Sequence, residues 1–121
     1  MIYVDVNIFQ YWLTADRLYG DRAKKILRQY RNKITSSLTI WILFILNPGN
    51  EEKILEAIEA LDIRIAPLRI QEIREAITLS NSIGLDIEDS IHLATMKELG
   101  LNEIASNDKD FDKVPWIKRV F

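Results

Sequence analysis

The apolar residues change period several times along the chain, and each change marks an element. Residues 2–6, Ile-Tyr-Val-Asp-Val, form an apolar, β-rich run that predicts a buried strand. Residues 7–14 and 18–30 follow a helical period, the second placing Leu18, Ala23, Ile26, Leu27 and Tyr30 on one stripe. A short strand is expected over 33–37. A strongly apolar helix follows over 38–46, stopped by Asn47-Pro48-Gly49. Helical spacing returns over 51–61, with apolar residues at 54, 55, 58 and 61, and a strand follows over 63–68. Two more helices, 70–82 and 86–99, close on Gly84 and Gly100. A short strand at 103–106 runs into the polar segment Ser-Asn-Asp-Lys-Asp, and residues 117–121 read as an edge strand.

Strands alternating with helices predict a three-layer α/β/α fold around a central, mainly parallel sheet. No linker or repeat divides the sequence, so residues 1–121 read as one domain. Ligands of such sheets bind beyond the carboxyl ends of the strands. Asp5 and Asp108 fall at two such ends.

Composition narrows the chemistry. With no cysteine and one histidine, disulfides, iron–sulfur clusters, thiol catalysis and an imidazole zinc site are not expected. Any metal would be held by oxygen, which points to Mg2+ or Mn2+. The apolar run 38–46 is far shorter than the roughly 18 residues a membrane span needs, and no signal peptide is evident. A soluble cytoplasmic protein is the economical expectation. Net charge is −2, yet seven of the sixteen basic residues lie between Arg17 and Lys33. Within that segment Arg22, Lys25 and Arg28 are candidates for following a phosphate backbone, although a merely solvated helix face would look the same.

The acids each have a structural explanation when taken singly. Asp5 could cap the helix that follows it. Asp86, Glu88 and Asp89 suit the first turn of theirs, and Asp108 and Asp110 sit where a turn favours aspartate. Their joint placement at one edge of the expected sheet is harder to explain. Carboxylates gathered there repel one another unless a divalent cation neutralises them.

The segments DVNIF (5–9), GLDIEDSIHLATMKELG (84–100) and IASNDKDF (104–111), in that order and at those distances from the termini, resemble PIN domains, the family that includes the VapC toxins of toxin–antitoxin pairs. The resemblance covers essentially the whole chain. It implies a metal-dependent ribonuclease in which Asp5, Asp89 and Asp108 are catalytic metal ligands. Asn7 is then a polar companion of Asp5, Ser106 the hydroxyl residue before the last acid, and Asp110 an auxiliary ligand. It also implies RNA as substrate and an antitoxin as partner. The family pattern places a glutamate after a segment like TSSLTI (35–40), where this chain has Ile42, and residues 34–50 contain no acid at all. Ser37 is then a candidate to supply an oxygen or hold a water in its place. Ile42 keeps open a second reading, a catalytically degenerate PIN domain that binds RNA or protein. A phospho-receiver domain is a third reading, but the first strand ends in a single acid and Asp62 precedes a strand. The apolar residues of 38–46, with Phe9, Tyr11 and Trp12, exceed what one sheet face covers, so a homodimer is expected.

Overall fold

Along the first strand, side chains alternate between two separate cores. Ile2 and Val4 enter one, and Tyr3 enters the other. The computed structural model describes residues 1–121 and builds both cores on a five-stranded sheet. Its strands are β1 (Ile2–Val4), β2 (Lys33–Ser36), β3 (Arg64–Ala66), β4 (Glu103–Ala105) and β5 (Lys118–Val120), in the order β3-β2-β1-β4-β5, with every pair parallel. One face is covered by α1 (Val6–Leu13), α2 (Gly20–Gln29), α3 (Ser37–Leu46) and α4 (Glu51–Ala60), which supply Phe9, Leu27, Leu43 and Ile58 to the first core. The other face is covered by α5 (Ile70–Ile83) and α6 (Ile87–Leu99), which supply Ala76, Leu79, Leu93 and Met96 to the second. A 3-10 turn, Lys109–Lys113, adds Phe111 to that second core.

The expected α/β/α architecture is therefore the one observed, with shorter strands. β1 stops at Val4 because Asp5 leaves the strand to cap α1. The helix expected from residue 18 begins at Gly20, and Leu18 is 77% exposed instead of joining the stripe. Asp16 explains the late start: its Oδ1 accepts from the Leu18 and Tyr19 N–H groups, both at 2.9 Å, and forms a turn before the helix. Gly20 is needed at this junction, since a Cβ there would lie 3.1 Å from the Ala15 carbonyl carbon.

Chain order determines where the sheet opens. From β1 the chain winds outward through β2 to β3, then crosses back to place β4 on the other side of β1. The switch therefore falls between β1 and β4, and a crevice forms beyond the carboxyl ends of those two strands. Asp5 follows β1 directly and Ser106 follows β4 directly. No helix is long and apolar enough to cross a membrane.

Candidate metal centre

Asp5 is the hub of the crevice. It is the N-cap of α1, with Oδ1 accepting the Val6 N–H at 2.7 Å. Its Oδ2 accepts from the Ser106 hydroxyl at 2.6 Å and from Asn7 Nδ2 at 3.2 Å. Asn7 Oδ1 accepts the Asn107 N–H at 3.2 Å, and Ser106 Oγ accepts the Asp108 N–H at 3.0 Å. These bonds tie the loop after β4 to the start of α1. Capping and site-building are thus one arrangement, and the two readings of Asp5 are not exclusive.

The other acids converge on the same crevice. Asp89 lies in the first turn of α6, placed by the N-cap Asp86, whose Oδ1 accepts the Asp89 N–H at 2.8 Å. Asp108 caps the 3-10 turn and accepts the Asp110 N–H at 2.9 Å. One carboxylate oxygen from each of Asp89, Asp108 and Asp110 lies within 4.8 Å of the others. Asp5 is not one of that trio, but it lines the same cavity of about 340 Å³, together with Glu88, Asp89 and Asp108. Asp112, three positions before Pro115, takes no part. Its carboxylate is paired with Arg119 at 2.9 Å, which holds it below the ordinary carboxylate range.

Electrostatics separate these acids. Asp89 is pushed up to about 8, first by burial and then by the negative charges of Asp86, Asp108, Asp5 and Glu88. Burial also raises Glu88, with Asp86, Asp5 and Asp108 adding to it. A cluster in this state either keeps a proton or accepts a cation. The donors are all carboxylate oxygens and the cavity is open, a combination that suits a hard divalent ion.

The opposite wall is apolar. Ile42 and Leu46 of α3 line the cavity with Val6, while Gln10 and Tyr11 of α1 complete it. Ile42 therefore borders the acidic crevice. Ser37 is not brought to it; its hydroxyl oxygen accepts the Leu68 N–H at 2.9 Å and ties α3 to the end of β3. Arg22, Lys25 and Arg28 are exposed on α2. Lys25 and Arg28 border a shallow groove of their own with Lys24, and Arg22 lies 4.3 Å from the centre of the Phe121 ring. None of the three lines the acidic cavity.

Two uncharged polar residues of this crevice, Gln10 and Tyr11, were not evident as site residues in the sequence. Tyr11 is anchored by the Asn107 side chain at 3.0 Å, and Gln10 exchanges amide hydrogen bonds with Asn47 at 3.2 and 2.7 Å. Their signal was an i, i+3, i+4 relation to Asn7 on one helix face. Nor was a buried pair beside Asp5 evident, Tyr3 and His92, joined at 2.5 Å.

The PIN domain family profile matches residues 2–117. The structure is similar to that of a toxin–antitoxin complex chain from Klebsiella pneumoniae, with 21% identity, TM-score 0.76 and 98% and 96% of the two chains covered. It is similar also to VapC20 of Mycobacterium tuberculosis, described as a sarcin–ricin loop cleaving toxin, with 16% identity, TM-score 0.78 and 97% of each chain covered. A third likeness is to VapBC2 from Rickettsia felis bound to promoter DNA, with 13% identity, TM-score 0.74 and 99% and 98% covered. At these identities the likeness is one of fold. No curated protein sequence matches the chain.

Proposed function

The chain belongs to the PIN-domain family, and on that premise we propose that it is a Mg2+- or Mn2+-dependent ribonuclease of the toxin type. The observation that carries the reading is the meeting of Asp89, Asp108 and Asp110 at the edge of the crevice that Asp5, Asp89 and Asp108 line. Asp89, Asp108 and Asp110 would hold the ion, with Asp5 as a further ligand from the strand side. When bound, the ion supplies an activated water and charge neutralisation at an RNA phosphodiester. The protein's own part is positional. Ser106 and Asn7 fix Asp5, the Asp5–Ser106 bond fixes the loop bearing Asp108, and Ile42 and Leu46 form an apolar wall on one side. The exposed bases Arg22, Lys25 and Arg28 would contact RNA backbone at a distance from the cleft.

The test is cleavage of a mixed RNA pool by purified protein, with and without Mn2+, beside Asp108→Asn. Mn2+-dependent cleavage that Asp108→Asn loses is the expected result, and cleavage indifferent to both changes refutes the assignment. A second reading, a degenerate PIN domain that binds RNA or protein without cutting, is favoured by one observation, Ile42 at the cavity wall. RNA binding with no cleavage under any divalent ion would select it.

Partner binding is proposed at α3. Trp41 and Ile45 are about 60% exposed there, at 61% and 60%, beside Leu46. A second copy of the chain is the expected occupant and an antitoxin the alternative. Light scattering of wild type against Trp41→Lys separates an interface from a tolerated exposed face: a monomer in both would remove the homodimer from the proposal.

A further inference from the structure

His92 is the chain's only histidine, and it is completely buried on α6, one turn after Asp89. Its Nδ1 meets the Tyr3 hydroxyl at 2.5 Å, with the rings edge to face. Tyr3 is equally buried, and a phenol hydroxyl carries its proton at neutral pH. The other ring nitrogen, Nε2, has no hydrogen-bond partner and lies 3.8 Å from Asp5 Oδ1. A buried ring nitrogen left unpaired is costly and calls for an explanation.

We propose that Tyr3 and His92 are a positioning pair for Asp5. The Tyr3 hydroxyl donates to Nδ1, this places the ring proton on Nε2, and that N–H faces Asp5 Oδ1 from behind the crevice. With Tyr3 as the donor in that bond, Nδ1 carries no proton, and a neutral imidazole then carries it on Nε2. At 3.8 Å the Nε2–H acts on Asp5 as a directed dipole, since a formed hydrogen bond is shorter. It adds a fourth direction to a carboxylate already held by Val6, Ser106 and Asn7, and so fixes the turn of the Asp5 plane towards the cavity. Groups that orient ligands in this way tune metal affinity without touching the ion. The effect on metal rests on the ribonuclease reading above; the tautomer and its sensitivity to Asp5 do not.

A single histidine makes the test direct. Long-range 1H–15N spectra of the metal-free protein should show Nε2 protonated and Nδ1 bare. Tyr3→Phe should draw the two nitrogens towards an average, and Asp5→Asn should move Nε2 more than Nδ1. A proton on Nδ1, an imidazolium, or a ring indifferent to Asp5→Asn overturns the pair. Mn2+ titration then reads its consequence. His92→Leu should weaken binding about 10-fold, while His92→Gln, which keeps an N–H at similar reach, stays within about 3-fold of wild type. Wild-type affinity in His92→Leu overturns the positioning role even if the tautomer is right. If His92→Leu does not fold, Tyr3→Phe, which loses a single oxygen, takes its place, with a loss of about 3-fold expected and none contradicting the role. A wild type that binds no Mn2+ refutes the ribonuclease reading instead, and the ring spectra still decide the pair.

Discussion

The two walls of the crevice treat polarity in opposite ways. On the α6 side, Glu88, Asp89 and Asp108 line the cavity, and Asp110 comes within 4.8 Å of Asp89 and Asp108. On the α3 side, Ile42 and Leu46 offer nothing to a cation. The two helices begin alike, with Ser36 capping α3 and Asp86 capping α6 through side-chain oxygens. What differs is the first turn. That of α6 carries Glu88 and Asp89, whereas α3 has no acid. A site built this way has its negative charge concentrated on one side, and the apolar wall offers that charge no compensating donor. Asp5 sits between the walls, held by three hydrogen-bond donors.

Removing the charged wall should have the largest effect. Asp89→Asn is expected to abolish Mn2+ binding and Mn2+-dependent RNA cleavage. The same change should raise the metal-free melting temperature at pH 8, because it deletes the most strained carboxylate. Loss of both binding and stability would mean that Asp89 is held by a bond absent from this account.

Asp5 should behave in the opposite sense. Asp5→Ala deletes the α1 cap and strands the Ser106 hydroxyl and the Asn7 amide, at a cost of about 1–3 kcal/mol in urea unfolding. Unchanged stability would show that the hub bonds are replaced by water.

Charging the apolar wall should sharpen the comparison further. Ile42→Glu places a carboxylate at the cavity and should tighten Mn2+ binding about 10-fold, or 1.4 kcal/mol, with a melting temperature that Mn2+ raises more than in wild type. Destabilisation unrelieved by Mn2+ would mean that the new side chain does not reach the crevice.

The smallest effect is expected far from both walls. Arg28→Gln should weaken RNA binding a few-fold and reduce the salt slope by about 1 if it contacts a phosphate. An unchanged slope would reduce the basic face of α2 to a solvated surface.

Much of this arrangement was legible in the residues. β1 and β4 could be read from short β-rich runs, and an acid following each at the carboxyl edge led to Asp5 and Asp108. The first-turn acids of α6 were visible because Asp86 is a good N-cap three residues before Asp89. The partition of labour among them was not, since it depends on distance: Asp110 joins Asp89 and Asp108 within 4.8 Å, while Asp5 is taken up by hydrogen bonds. Nor was the fate of Ser37, whose bond to Leu68 joins positions 31 residues apart. An apolar run such as 38–46 does not reveal which face is covered, and α3 in fact buries only Thr39 and Leu43. His92 sat in an apolar stretch of α6 with no local sign that Tyr3, 89 residues away, would bond to it.

The pH dependence of the acidic wall is the most direct probe of the account. Asp89 has a folded-state value of about 8 against 3.8 for the free side chain, so between those values the folded protein holds a proton that the unfolded chain has lost. Metal-free stability should therefore be greatest below pH 4 as far as this group is concerned, fall as pH rises towards 8, and level off above it. A divalent ion bound by Asp89, Asp108 and Asp110 must displace that proton. Calorimetric titration of Mn2+ into the protein at pH 6 and at pH 9 tests this in one experiment. Weaker binding with proton release is expected at pH 6, and tighter binding without it at pH 9. Equal affinity at the two values, or no binding at either, would contradict the claim that these aspartates form a metal centre.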